Sequence, residues 1–193
     1  MKIDISEQSL SDLVAYAQVP IGYEVREIMD VEAGGPGGFI LSPRRTEPPY
    51  FKDYDAIAGE GPLRWAQRFD LTNWGILMAR VEGRLVGGTV IAFKTAGVTM
   101  LEGRDDLAVL WDIRVAPEVR GQGVGSALFR AAEAWAAARG CTQLKIETQN
   151  VNVPACRFYQ AQGCVIEGIN RWAYPELPEE IQILWKKTIL KQA

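Results

Sequence analysis

Along the chain, apolar stretches alternate with short polar or glycine-bearing breaks, and the spacing within each stretch separates strands from helices. Two runs, 74–81 and 85–93, flank Glu82-Gly83-Arg84 and predict a hairpin. A further strand is predicted over 107–115, where Val109, Trp111, Ile113 and Val115 face one way and Asp112 and Arg114 the other. The period then changes. Leu128, Ala131, Ala132, Trp135 and Ala138 recur at helical spacing, which predicts a helix over 125–139 with Gly140 as its C-terminal cap. A strand over 143–148, a helix over 154–162 closed by Gly163, and strands over 164–168 and 182–185 complete the pattern.

Ahead of the hairpin the text is less regular. Residues 1–22 mix an amphipathic stretch with Pro20 and Gly22 and are expected as an arm or short helix, followed by a strand over 23–31 and a mobile loop at Gly34-Gly35-Pro36-Gly37-Gly38. Residues 44–70 are dense in proline, aromatics and acids, with one or two helical turns and no clean period. Strands first, then strands alternating with helices, predict an α/β (α+β) fold with a mixed central sheet of about six to seven strands flanked by helices. Its first half is expected to be antiparallel, with a short parallel section where the helices cross over.

The 193 residues fit one domain over 1–193, with an arm and first strand in 1–45 and the core motif region in 74–188. With 21 basic and 24 acidic residues the net charge is −3, which argues against a nucleic-acid partner and accords with a cationic ligand. The chain has no histidine, so Ser-His-Asp and Cys-His mechanisms are excluded, the commonest metal ligand is missing, and no metal is expected. Cys141, Cys156 and Cys164 are odd in number and lack CxxC spacing, so they are expected as reduced structural thiols of a cytoplasmic protein. No signal-peptide core or membrane-length apolar run is present, so no membrane partner is expected.

The densest chemical signal is 115–126, where a strand ends near Pro117, Arg120 and three alternate glycines follow, and a helix starts at once. Glycines tolerate positive φ and clear side chains from the turn, so consecutive N–H groups converge while the helix N-terminus adds partial positive charge. Such a turn suits a pyrophosphate. It lacks the GxGxxG spacing of dinucleotide folds and the GK[ST] of a P-loop.

Arg120-Gly121-Gln122-Gly123-Val124-Gly125, after a hydrophobic strand and Val-x-Pro, resembles the acetyl-CoA signature of the GNAT superfamily of N-acetyltransferases. Asn152-Val153-Pro154-Ala155-Cys156-Arg157-Phe158-Tyr159, with Gly163 after it, is similar to that family's Asn-x-x-Ala-x-x-x-Tyr segment. The resemblance implies a single-domain GNAT fold, with acetyl-CoA as co-substrate and its pyrophosphate on Arg120, Gly121, Gln122, Gly123, Val124, Gly125 and Ser126. It further implies that the main chain of Ile113, Arg114 and Val115 meets the pantetheine and the oxyanion. Asn152 would hold the pantetheine arm and Tyr159 would protonate the leaving thiolate, while Phe158 stands between packing and cofactor contact.

Acyl transfer needs a neutral amine, and without histidine a carboxylate must assist. Asp112, and Glu147 on a face shared with Lys145 and Gln149, are the candidates, as proton acceptors through water or as anchors for a cationic substrate. The alternative for each is a solvated charge. Asp53, Asp55 and Asp70 are candidate acceptor anchors against a stronger expectation of surface roles.

A narrower resemblance, over 47–187 and strongest at Glu147-Thr148-Gln149, is to the streptothricin acetyltransferases, which acetylate an amine on the β-lysine arm of an antibiotic. Departures are Trp111, where related proteins tend to carry an acid, Cys164 in place of phenylalanine, and a longer 94–106 connection. The expectation is acetyl transfer to a primary amine of a small cationic molecule by direct attack. Its alternatives are a protein N-terminus or lysine as acceptor, and a non-catalytic acetyl-CoA sensor. The 172–185 tail either covers the site or makes a homodimer.

Overall fold

A computed structural model describes residues 1–34 and 38–189. Gly35, Pro36 and Gly37 of the expected mobile loop lie outside the described residues. The chain divides into two compact units, one formed by 1–22, 53–144 and Ile189, the other by 23–52 and 145–188.

In the first unit, β1 (Asp4–Gln8), β4 (Gly75–Val81), β5 (Arg84–Ala92) and β6 (Leu107–Val115) pair in that order, each antiparallel to its neighbour. The hairpin forms where the sequence places it, around Glu82 and Gly83 with φ of 51° and 79°. Helix α3 (Val124–Ala138) packs on β4, β5 and β6 and buries Leu128, Phe129, Ala132, Trp135 and Ala136. Gly75 is needed there, because a Cβ on it would lie 2.4 Å from the Trp135 ring. A second core gathers α1 (Leu13–Tyr16) and α2 (Pro62–Arg68) around Tyr16, Trp65, Leu71, Trp74, Ile76 and Val90.

In the second unit, β2 (Tyr23–Ala33) and β3 (Phe39–Lys52) form an antiparallel pair, and β7 (Gln143–Gln149), β9 (Gln182–Thr188) and β8 (Val165–Asn170) follow one another in that order. The two runs of four and three strands give seven, the upper end of the expected range. Helix α4 (Val153–Ala161) turns Val153, Cys156 and Tyr159 inward at helical spacing.

Two strands depart from the sequence reading. β1 stands in the expected arm, and β3 occupies the first third of the segment expected to be irregular. β3 tolerates its prolines because, among the described residues, it is paired only with β2, and the register jumps from Val25/Tyr50 to Glu27/Arg45, so Pro48 and Pro49 fall in the irregularity.

Candidate active site

The end of β6 carries the first group of expected site residues. Val90 pairs with Asp112 and Ile91 with Leu110, so Trp111 is an extra residue on β6 and the strand bulges there. Bulges re-aim side chains, and this one leaves Trp111 half-buried against Phe69 and Trp74, with ring centroids 5.2 and 5.3 Å away.

Past the bulge, Arg114 is fully buried and all five of its N–H donors are used. Nε and one terminal nitrogen bond the two carboxylate oxygens of Asp112 at 2.9 and 2.7 Å. The terminal nitrogens also reach Asp55 at 2.7 and 3.2 Å and the Val19 carbonyl at 3.1 Å. The guanidinium lies 4.9 Å from the centre of the Tyr16 ring, whose hydroxyl donates to Asp112 Oδ1. Burial alone would favour the neutral guanidine, but the hydrogen bonds and charge of Asp112 outweigh it and keep Arg114 charged. Burial, then the Asp112 charge, push the Tyr16 hydroxyl well above its ordinary range. Asp112 is thus no solvated strand charge: both its oxygens are held by donors. Asp55 is committed to the same cluster, whereas Asp70 is exposed and accepts from Thr72.

The turn after β6 has the backbone the glycines allow. A short 3-10 turn at Pro117–Val119 leads to Arg120, and Gly121 and Gly123 take φ of 76° and 89°, a region that L side chains rarely enter. Gly121, Gln122 and Gly123 are exposed, and a Cβ on either glycine would meet nothing within 4 Å. Gly123 begins α3 without a side-chain cap, and the first bond of the helix is Ala127 N–H to Gly123 O at 3.0 Å. The amides of Val124, Gly125 and Ser126 precede that bond, at the positive end of the helix dipole. The Arg120 side chain works as a clasp: Nε donates to Val115 O at 2.9 Å, and the terminal nitrogens donate to Gly22 O and Pro20 O at 3.2 to 3.3 Å. Burial lowers its proton affinity, partly offset by Glu118. The Arg120 guanidinium is occupied with carbonyls, so an anion at this turn would meet chiefly main-chain amides.

The second unit holds the other group. Asn152 caps α4, its Oδ1 accepting from Ala155 N–H at 3.2 Å, which fixes the side chain at the helix start. Tyr159 is 3% exposed, with its ring 5.2 Å from Phe158 and 6.3 Å from Trp185. On β7, Glu147 is half-buried and its Oε1 accepts from the Tyr174 hydroxyl at 2.5 Å, while Gln149 Nε2 donates to the Tyr174 oxygen at 2.9 Å. Lys145, 5% exposed at its side chain, pairs with Glu167 at 2.9 Å. The expected shared face of Lys145, Glu147 and Gln149 is present. Sequence reasoning gave Tyr174 no role, and no local period marks a tyrosine in a loop. Cys156 is buried and its thiol is pushed up to about 11 by that burial, against lesser lowering by Thr148 and the backbone, so it is a poor nucleophile. Among the described residues no cluster could hold a metal ion, and no helix is long and apolar enough to cross a membrane.

The sequence model described as "Acetyltransferase (GNAT) family" matches residues 41–164. Streptothricin acetyltransferase of Escherichia coli is 32% identical over 166 residues, covering 83% of this chain and 82% of its own. Streptothricin acetyltransferase A of Bacillus subtilis (strain 168) is 38% identical over 151 residues, covering 77% and 79%. A Bacillus anthracis protein crystallised in complex with acetyl coenzyme A superposes with a TM-score of 0.77 at 24% identity, over 97% of this chain and 99% of that one.

Proposed function

The chain belongs to the acetyltransferase (GNAT) family and is an acetyl-CoA-dependent N-acetyltransferase, and from that premise we propose that its acceptor is a primary amine of a small cationic molecule of the streptothricin type. The observation that carries the acceptor is the likeness to two streptothricin acetyltransferases over about four fifths of the chain.

In this reading 1–193 act as one N-acetyltransferase domain. Main-chain amides of the turn from Gly121 to Ser126 receive the pyrophosphate of acetyl-CoA, with Arg120 bracing the turn through the Val115 and Gly22 carbonyls. The main chain of Ile113, Arg114 and Val115 lies along the pantetheine and offers an N–H to the oxyanion, and Asn152 and Phe158 line the arm. The acceptor arrives as an ammonium and must lose a proton before it attacks. Glu147 takes that role in preference to Asp112, because both Asp112 oxygens already accept from Arg114 and one also accepts from Tyr16. Glu147 Oε2, by contrast, has no partner among the described residues, so it can receive the proton through water or hold the cation. The neutral amine then attacks the thioester carbonyl, the C–S bond breaks with the electron pair on sulfur, and Tyr159 gives its proton to the departing thiolate. Cys156, buried and protonated, takes no part, so no acetyl-cysteine intermediate forms.

Thiol release from acetyl-CoA, measured with streptothricin, aminoglycosides, spermidine and lysine peptides, tests the acceptor. The streptothricin amine should give the highest kcat/KM. A lysine peptide as the best acceptor would replace the small molecule with a protein substrate, and no thiol release above hydrolysis with any amine would leave a binding protein.

A further inference from the structure

Resting on the role proposed above for Glu147, we propose that Tyr174 is a positioning residue for acetyl transfer. It holds the Glu147 carboxylate oriented through the chain Gln149–Tyr174–Glu147. The Gln149 amide nitrogen Nε2 can only donate, so at 2.9 Å it takes a lone pair of the Tyr174 oxygen and directs the hydroxyl proton the other way. That proton points at Glu147 Oε1, 2.5 Å away, in the range of a short charge-assisted bond. Each donor polarises the next, and the chain ends on one oxygen of the carboxylate, leaving Oε2 to meet the acceptor.

The segment that brings Tyr174 to β7 is itself fixed. It joins β8 to β9, and near its start Arg171 donates to the Val31 carbonyl at 2.6 Å. At its far end Ile181 N–H donates to Asn150 Oδ1 at 2.8 Å, and Glu180 pairs with Lys52, both nearly buried. Between these ends, Leu177 N–H bonds Tyr174 O and Glu180 N–H bonds Leu177 O, each at 2.9 Å. The tyrosine therefore sits on a strap whose course does not depend on its hydroxyl. Other charges on this face are already matched: Lys145 and Lys186 share the Glu167 carboxylate, at 2.9 and 3.5 Å. Tyr174 is the one group among the described residues that donates to Glu147.

The test is a double-mutant cycle on kcat/KM for the amine of the panel that releases thiol fastest, with Tyr174→Phe, Glu147→Gln and the pair. Tyr174→Phe should lower kcat/KM for the acceptor about tenfold, the scale of one hydrogen bond to a charged group, with the KM for acetyl-CoA and the melting temperature unchanged. In the Glu147→Gln background the same change should have no further effect. Independent, multiplying losses would overturn the proposal, as would a Tyr174→Phe enzyme as fast as wild type beside a slow Glu147→Gln. A Glu147→Gln enzyme at full rate would instead overturn the role of Glu147 itself, and the positioning role with it.

Discussion

Replacing Arg114 with methionine should be the most damaging single change in the first unit. The arginine side chain is 0% exposed, and its five donors serve Asp112, Asp55 and the Val19 carbonyl. Methionine fills much of the volume and provides none of the bonds. It strands a carboxylate whose side chain is only 7% exposed, Asp112, and a second, Asp55, that at 28% can partly rehydrate. Breaking one side of a buried pair costs about 3–5 kcal/mol, because the remaining charge stays desolvated. For a chain of this length each kcal/mol moves the melting temperature by roughly 2–4 °C, so the variant should melt about 6–20 °C below wild type. Thermal melting by circular dichroism at neutral pH measures this directly. Arg84→Met is the control: its pair with Glu118 is exposed, and such pairs contribute about 1 kcal/mol or less. Arg114→Lys should recover only part of the loss, since an ammonium cannot span both carboxylates and the carbonyl. A methionine variant melting within about 2 °C of wild type, on the same scale of degrees per kcal/mol, would refute the reasoning.

Three further outcomes are expected. Gly88→Ala should destabilise by about 1–3 kcal/mol, since the new Cβ would lie 2.7 Å from the Tyr16 ring and 2.9 Å from Leu77 O; equal urea midpoints would contradict that packing. Cys156 should resist iodoacetamide at pH 8 in the folded protein, because its thiol is buried and titrates near 11, and should react once urea unfolds the chain; rapid native labelling, read by mass spectrometry, would count against it. Asp106, held at about 2 by Arg104 and then Thr142, has a folded value below its unfolded one, so its stabilisation is present above about pH 4 and lost as pH falls toward 2. The melting difference between wild type and Asp106→Asn should shrink over that window, and a difference that stays constant would place the shift elsewhere.

Much of this was legible in the sequence wherever one local period dominates. β6 and α3 lie within a residue of expectation because an apolar run is buried on both faces at the start of the strand and a helical stripe buries one face of the helix. β1 was not legible: Asp-Ile-Ser-Glu-Gln exposes most of its side chains and is a strand because β4 offers an unpaired edge. β3 hides behind its prolines and its exposed pattern, since a strand of a two-stranded sheet buries little. The glycine turn could be read directly, because positive φ is written into Gly121 and Gly123. The opposite holds for the clasp made by Arg120, the bulge at Trp111 and the burial of Arg114. Each depends on a partner set by pairing register or by chain more than 50 residues away, as with Asp55 on Arg114 and Gly22 on Arg120. The same is true of Tyr174, brought to Glu147 across 27 residues by a loop without a period.

The central claim is that main-chain amides of the turn from Gly121 to Ser126 receive the diphosphate of acetyl-CoA. A crystal structure with coenzyme A bound tests it most directly. Diphosphate oxygens should lie about 2.7–3.2 Å from those nitrogens, with Arg120 still on the Val115 and Gly22 carbonyls. A diphosphate seated on any other part of the chain would contradict the account.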